Sequence, residues 1–164
     1  MVILLVSCPT GREGDASLEL EWALGDATVK RTKWRGVLLA YTSHDKGEAI
    51  RRIREFETQA IFKVVPLEVL VESNEDEIIK RAVELAKERI KPEDSFAARC
   101  RVRDKKFASA KELERKVGGA VKDATNARVD LTDPDWTVMV EVLERKTGIS
   151  VLGRGEILKK DVVE

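Results

Sequence analysis

At 164 residues, 43% hydrophobic and 37% charged, the chain has enough apolar content for a folded core, in one domain or two small ones. Thirty Lys plus Arg balance thirty Asp plus Glu, so there is no global basic signal for nucleic acid, and the high charge content suits an ion-pair-rich surface of the thermophile kind. Cys8 and Cys100 stand far apart with no second Cys or His at ligand spacing, which argues against a zinc site and a disulfide framework and for a reduced, cytoplasmic setting. The apolar start at 2–6 is too short for a signal peptide and no later run reaches membrane-spanning length, so no membrane partner is expected.

Residues 2–6 read as a buried strand, followed by a Pro9/Gly11/Gly14 loop and a helix from about Asp15 to Gly25. Residues 28–33 and 37–41 read as a hairpin turning at Trp34-Arg35-Gly36. Asp45, with Glu48 three residues on, caps a helix that buries Ala49, Ile50, Ile53 and Phe56. Residues 61–71 read as one strand, edged or bulged at Pro66. This order, strand, helix, strand, strand, helix, strand, predicts a ferredoxin-like domain over 1–73.

Cys8 lies where a strand feeds a loop and a helix, a place where a thiol can be activated or phosphate held. Against that, the only histidine is His44, and Gly11-Arg-Glu-Gly14 matches neither a P-loop nor a dinucleotide fingerprint. A small residue at a strand end is the blander reading, and an enzyme using Cys8 stays as a third possibility.

Asn74 and Glu77 signal a second unit over 74–160, opening on a helix that buries Ile78, Ala82, Leu85, Ala86 and Ile90. A strand at 96–103 then alternates Phe96, Ala98, Cys100 and Val102 against Arg99, Arg101 and Arg103. Between Arg99 and Arg128 there are ten basic residues and four acidic ones. Three guanidinium groups on one strand face repel unless something anionic meets them, so the pattern points to phosphate contact.

Ser109 with Glu112 caps the next helix, whose apolar face is Leu113, Val117, Ala120, Val121 and Ala124. At about 100° per residue, Lys111, Arg115, Gly118 and Lys122 fall in a band of roughly 60° on the opposite side. Glycine there costs about 1 kcal/mol relative to alanine without a core to explain it, which suggests close approach of a sugar-phosphate or another main chain. Lys105 and Lys106 extend the basic run, and Phe107 beside them is either a stacking platform or a core anchor. A strand at 127–131 should run parallel to the arginine strand, because the helix between them makes a crossover. Trp136 to Glu144 and Ile149 to Leu152 then form a hairpin, and 156–160 a last strand. Val129, Leu131, Val138 and Val140 are the expected core of this region.

Arg128-Val-Asp-Leu-Thr-Asp-Pro-Asp-Trp-Thr-Val-Met-Val-Glu-Val142, preceded by Phe96-Ala-Ala-Arg-Cys-Arg101 and a capped helix with Gly118, resembles the THUMP domain, an RNA-binding module of tRNA-modifying enzymes. The resemblance covers about 74–160 and implies an α+β fold with a mixed parallel and antiparallel sheet. It looks most like the stand-alone THUMP proteins, related to the adaptor that presents tRNA to a cytidine acetyltransferase. The resemblance implies tRNA, including its acceptor end, against Arg99, Arg101, Arg103, Lys105, Lys106, Lys111, Arg115 and Lys122, with Asp130 and Pro134 in structural roles. With no phosphate-binding loop, glycine-rich methyl-donor site or deaminase His/Cys set, the expectation is a non-catalytic adaptor with a tRNA-modifying enzyme as partner, without cofactor or small-molecule substrate. The alternative is a protein-interaction scaffold whose basic face meets an acidic partner.

Overall fold

A computed structural model describes residues 2–104, 107 and 109–163. The chain divides into two units, Met1–Leu67 with Gly155–Glu164, and Glu68–Arg154, each with its own apolar core.

In the first unit, β1 (Val2–Ser7), α1 (Glu13–Leu24), β2 (Thr28–Arg31), β3 (Val37–Thr42), α2 (Lys46–Glu55) and β4 (Lys63–Leu67) follow in the expected order. All pairings are antiparallel, with β1 between β3 and β4 and with β2 beyond β3, the ferredoxin-like arrangement. Helix α1 ends at Gly25 with φ +82°, where an L side chain would be strained. Asp45 caps α2 as its spacing demands, accepting from the Glu48 N–H at 2.8 Å. Leu4, Val6, Leu20, Leu38 and Ile53 are fully buried between sheet and helices.

The second unit holds β5 (Val69–Glu72), α3 (Glu75–Arg89), β6 (Ser95–Val102), α4 (Ala110–Thr125), β7 (Arg128–Val129), β8 (Trp136–Val142) and β9 (Lys146–Gly153). Its strand order is β5-β9-β8-β6-β7. Strand β6 runs parallel to β7 and β8, and the remaining pairs are antiparallel, so the sheet is mixed. The parallel β6–α4–β7 crossover is the one expected. Asn74 and Ser109 accept from the N–H groups of Glu77 and Glu112, each at 3.2 Å, fixing the starts of α3 and α4. Phe96, Ile78, Leu113, Val117, Val138 and Ile149 are fully buried, each large side chain contributing about 1.5–3 kcal/mol.

Three readings of the sequence change. Residues 61–71 are two strands that part at Glu68, β4 entering the first sheet and β5 the second. The last strand, β10 (Leu158–Lys159), pairs antiparallel with β4, so it belongs to the first sheet and not to the unit at 74–160. Its neighbour Lys160 lies 2.7 Å from the carbonyl oxygens of both Ile53 and Phe56, where a cation suits the exposed C-terminal carbonyls of α2. Finally, Val129 and Leu131 are 49% and 62% exposed, whereas Val138 and Val140 are core. Strand β7 is two residues long and pairs on one side only, and the chain leaves the sheet immediately after it.

Candidate nucleic-acid interface

The exit from β7 is locked by carboxylates. Asp130 accepts from the N–H groups of Thr132 and Asp133 at 2.9 and 3.0 Å, closing an Asx turn, and the bond from Asp133 heads the interactions that lower its pKa. Asp135 accepts from the Ser95 N–H at 2.9 Å while its own N–H donates to the Ser95 hydroxyl at 3.0 Å. The indole N–H of Trp136 donates to Asp94 at 3.2 Å. The segment from Asp130 to Trp136 is thereby tied to the start of β6, and Leu131 is held outward.

Alongside it, α4 crosses the sheet margin and leaves a groove of about 410 Å³. The floor is apolar, made by Phe96, Ala98, Gly118, Val129 and Leu131. Lys111, Arg115 and Lys122 rise along one wall, and none has an ion-pair partner among the described residues. Among the described residues the one carboxylate in the lining, Glu114, is engaged by the Cys100 N–H at 2.9 Å. A row of cations without an ion-pair partner among the described residues, above an apolar floor, suits a chain of phosphates whose bases or sugars lie against the floor.

Gly118 sits in this groove, though not as its spacing suggests. It borders the buried face of α4, and a Cβ placed there would stand 3.7 Å from the Cβ of Ala98, an ordinary van der Waals distance. A core face about 100° wide reaches further round the helix than the apolar residues alone mark out. Gly119, Glu114, Val129 and Leu131 join the lining without having been candidates. The turn residues Asp130, Asp133 and Pro134 were the available signal that the chain leaves the sheet before Leu131.

The three strand arginines part ways. Arg99 donates to the Leu131 carbonyl oxygen at 2.9 Å and braces the backbone of this floor residue. Arg101 is exposed. Arg103 is withdrawn from any surface role: its side chain is 7% exposed and lies 2.6 Å from the equally buried carboxylate of Glu141. Phe107 packs partly buried against the core, the anchor reading of the two. Lys105 and Lys106 lie outside the described residues.

Neither thiol is poised for chemistry. Burial, with Glu13 nearby, pushes Cys8 up to about 11, and burial with Glu114 and Glu141 pushes Cys100 up to about 12, so both are protonated at neutral pH. No helix among the described residues is long and apolar enough to cross a membrane.

Residues 72–152 match the family model described as the THUMP domain. The second unit is a THUMP domain. That assignment associates it with RNA and with tRNA modification. The chain is similar in fold to PH1313 of Pyrococcus horikoshii, with TM-score 0.73 and 22% identity over 97% of this chain and 55% of that one. It is likewise similar to TrmN of Thermus thermophilus, with TM-score 0.69 and 17% identity over 98% and 46%. A 4-thiouridine synthetase solved in complex with RNA and ATP matches with TM-score 0.67 and 16% identity over 97% and 42%. At these identities the likeness is one of fold. By sequence, 127 residues are 33% identical to the uncharacterised protein MJ0421 of Methanocaldococcus jannaschii, covering 77% of this chain and 33% of that protein. The chain thus spans a third of this curated relative and about half of these solved chains.

Proposed function

We propose that this protein binds tRNA through the α4 groove of its THUMP domain and, without catalysing a reaction itself, presents the tRNA to a separate modification enzyme. The observation that carries the reading is the row Lys111, Arg115 and Lys122 above a floor open to bases. Phosphate binding at those cations supplies affinity, and the floor with exposed Val129 and Leu131 selects an unpaired end over a duplex. The 4-thiouridine synthetase of similar fold was solved with RNA, which supports an RNA ligand for the THUMP unit. The motif resemblance to the acetyltransferase adaptor makes a tRNA cytidine acetyltransferase the proposed partner.

A titration of the full chain with total tRNA across a salt series tests this. Replacing Lys111, Arg115 and Lys122 by Ala should weaken binding and flatten the dependence of log Kobs on log[salt] by about 0.7–0.9 for each phosphate left without its cation. Wild-type protein that fails to bind tRNA at low salt sinks the reading. Copurification with a modification enzyme from native extract tests the adaptor role separately.

The same exposed Val129 and Leu131 favour a second reading, a scaffold whose basic, apolar-floored groove takes an acidic protein segment. It predicts loss of a protein partner in the groove variants with tRNA binding absent throughout.

A further inference from the structure

The turn that joins β2 to β3 in the first unit concentrates charge in a way its role as a connector does not require. Lys30, Arg31, Lys33 and Arg35 bring four cations into six residues, with Trp34 among them. Arg31, Lys33 and Arg35 are exposed and Trp34 is half-buried. Like charges this close repel, and a free loop would spread them apart.

This loop is held. The Thr32 hydroxyl lies 2.8 Å from the Val37 carbonyl oxygen and accepts from the Trp34 N–H at 3.2 Å. Gly36, at φ +72°, accepts from the Cys8 N–H at 2.9 Å, and its own N–H donates to Glu13 at 3.1 Å. The other oxygen of Glu13 accepts from the Gly11 N–H at 2.7 Å, so this carboxylate clamps the tip of the turn to the loop after β1. Two of the cations lie over aromatic faces: Lys33 Nζ is 5.4 Å from the Trp34 ring centroid and Lys30 Nζ 5.3 Å from that of Tyr41. The hollow beside Arg31, Trp34 and Arg35, which the clamping Glu13 also lines, is about 100 Å³, well below the roughly 300–1,000 Å³ of small-molecule sites. It has room for a single group of a longer ligand.

We propose that this turn is a second RNA-binding site, in which Arg31 and Arg35 hold backbone phosphates and Trp34 offers a face to a base. A polyanion adds counter-charge beside Arg31 and Arg35, and a pre-ordered turn loses little entropy on binding. Arginine and tryptophan together favour RNA over an acidic peptide, because every nucleotide brings both a phosphate for a guanidinium and a base that can stack on an indole. The inference rests on the reading of this chain as a tRNA-binding protein.

The test uses the full chain with total tRNA. Arg31→Ala/Arg35→Ala should lower affinity several-fold and reduce the salt slope by about 1.4–1.8, while Arg31→Lys/Arg35→Lys, which keeps the charge, should retain the slope. Ultraviolet cross-linking should attach tRNA within residues 31–35. If wild-type protein binds and the Lys111/Arg115/Lys122 variant weakens, but the Arg31/Arg35 variant keeps affinity and slope with no cross-link at the turn, the second site is overturned and the groove stands. An Arg31/Arg35 variant that keeps tRNA but loses a copurifying acidic protein also overturns it. Absence of tRNA binding by the wild type removes both readings together.

Discussion

Arg103 Nη1 lies 2.6 Å from Glu141 Oε2, and the two side chains, 38 residues apart in sequence, are 7% and 4% exposed. The guanidinium that sequence pattern assigned to RNA is instead an internal strut between β6 and β8. Removing one partner strands a buried charge, so Arg103→Ala should destabilise the protein by about 3–5 kcal/mol in chemical denaturation. Arg103→Met with Glu141→Leu should recover most of that loss. Variants that remain folded should bind tRNA with wild-type salt dependence.

Gly118 and Gly119 separate helix stability from groove function. A Cβ meets only Ala98 at 3.7 Å in the first case and nothing in the second. Each Gly→Ala change should therefore stabilise the protein by about 0.5–1 kcal/mol, through helix propensity, with tRNA affinity unchanged. Gly118→Leu should fill the floor and weaken tRNA binding while the melting temperature holds. Wild-type affinity in Gly118→Leu shows that RNA does not use the floor.

Gly36 and Gly25 both have positive φ, but their surroundings differ. A Cβ on Gly36 would stand 2.5 Å from the Cys8 carbonyl oxygen, a backbone atom that cannot swing aside, whereas at Gly25 it meets nothing. Gly25→Ala should cost about 1–2 kcal/mol from the left-handed conformation alone. Gly36→Ala should cost distinctly more, read as a larger drop in denaturation midpoint.

Asp26 ties the loop after α1 to the end of β3 by accepting from the Ser43 and Thr42 hydroxyls and the Ser43 N–H. The Ser43 hydroxyl first, then that of Thr42, hold its carboxyl down to about 2. A carboxyl lowered in the folded state contributes stability that is full above its unfolded value of about 3.9 and is lost as pH falls through about 2. Asp26→Asn should lower the melting temperature at pH 7, and the gap from wild type should close between about pH 4 and pH 2. A gap that persists at pH 2 means the loss comes from packing.

Much of this molecule is written locally. Asp45, Asn74 and Ser109 announce their helices because a capping side chain bonds an N–H three residues away, and the crossover through α4 fixes β6 and β7 as parallel. The THUMP motif around Asp130 and Pro134 identifies the second unit, since its Asx turn lies within a few residues of chain. The basic stripe Lys111, Arg115 and Lys122 follows from helical period alone.

What the tertiary structure decided depends on partners distant in sequence. A continuous apolar run carries no mark of which sheet it joins, so only pairing with β1 and with β9 splits it at Glu68 into β4 and β5. Alternation placed three arginines on one face, yet their environments come from Leu131 and Glu141, 32 and 38 residues on. One braces a carbonyl, one is exposed and one is buried in an ion pair. Val129 and Leu131 read as core by composition and became groove floor, because β7 is the edge strand of its sheet. Periodicity sets which way a side chain points from its own backbone; burial and charge pairing are set by what the fold brings opposite it.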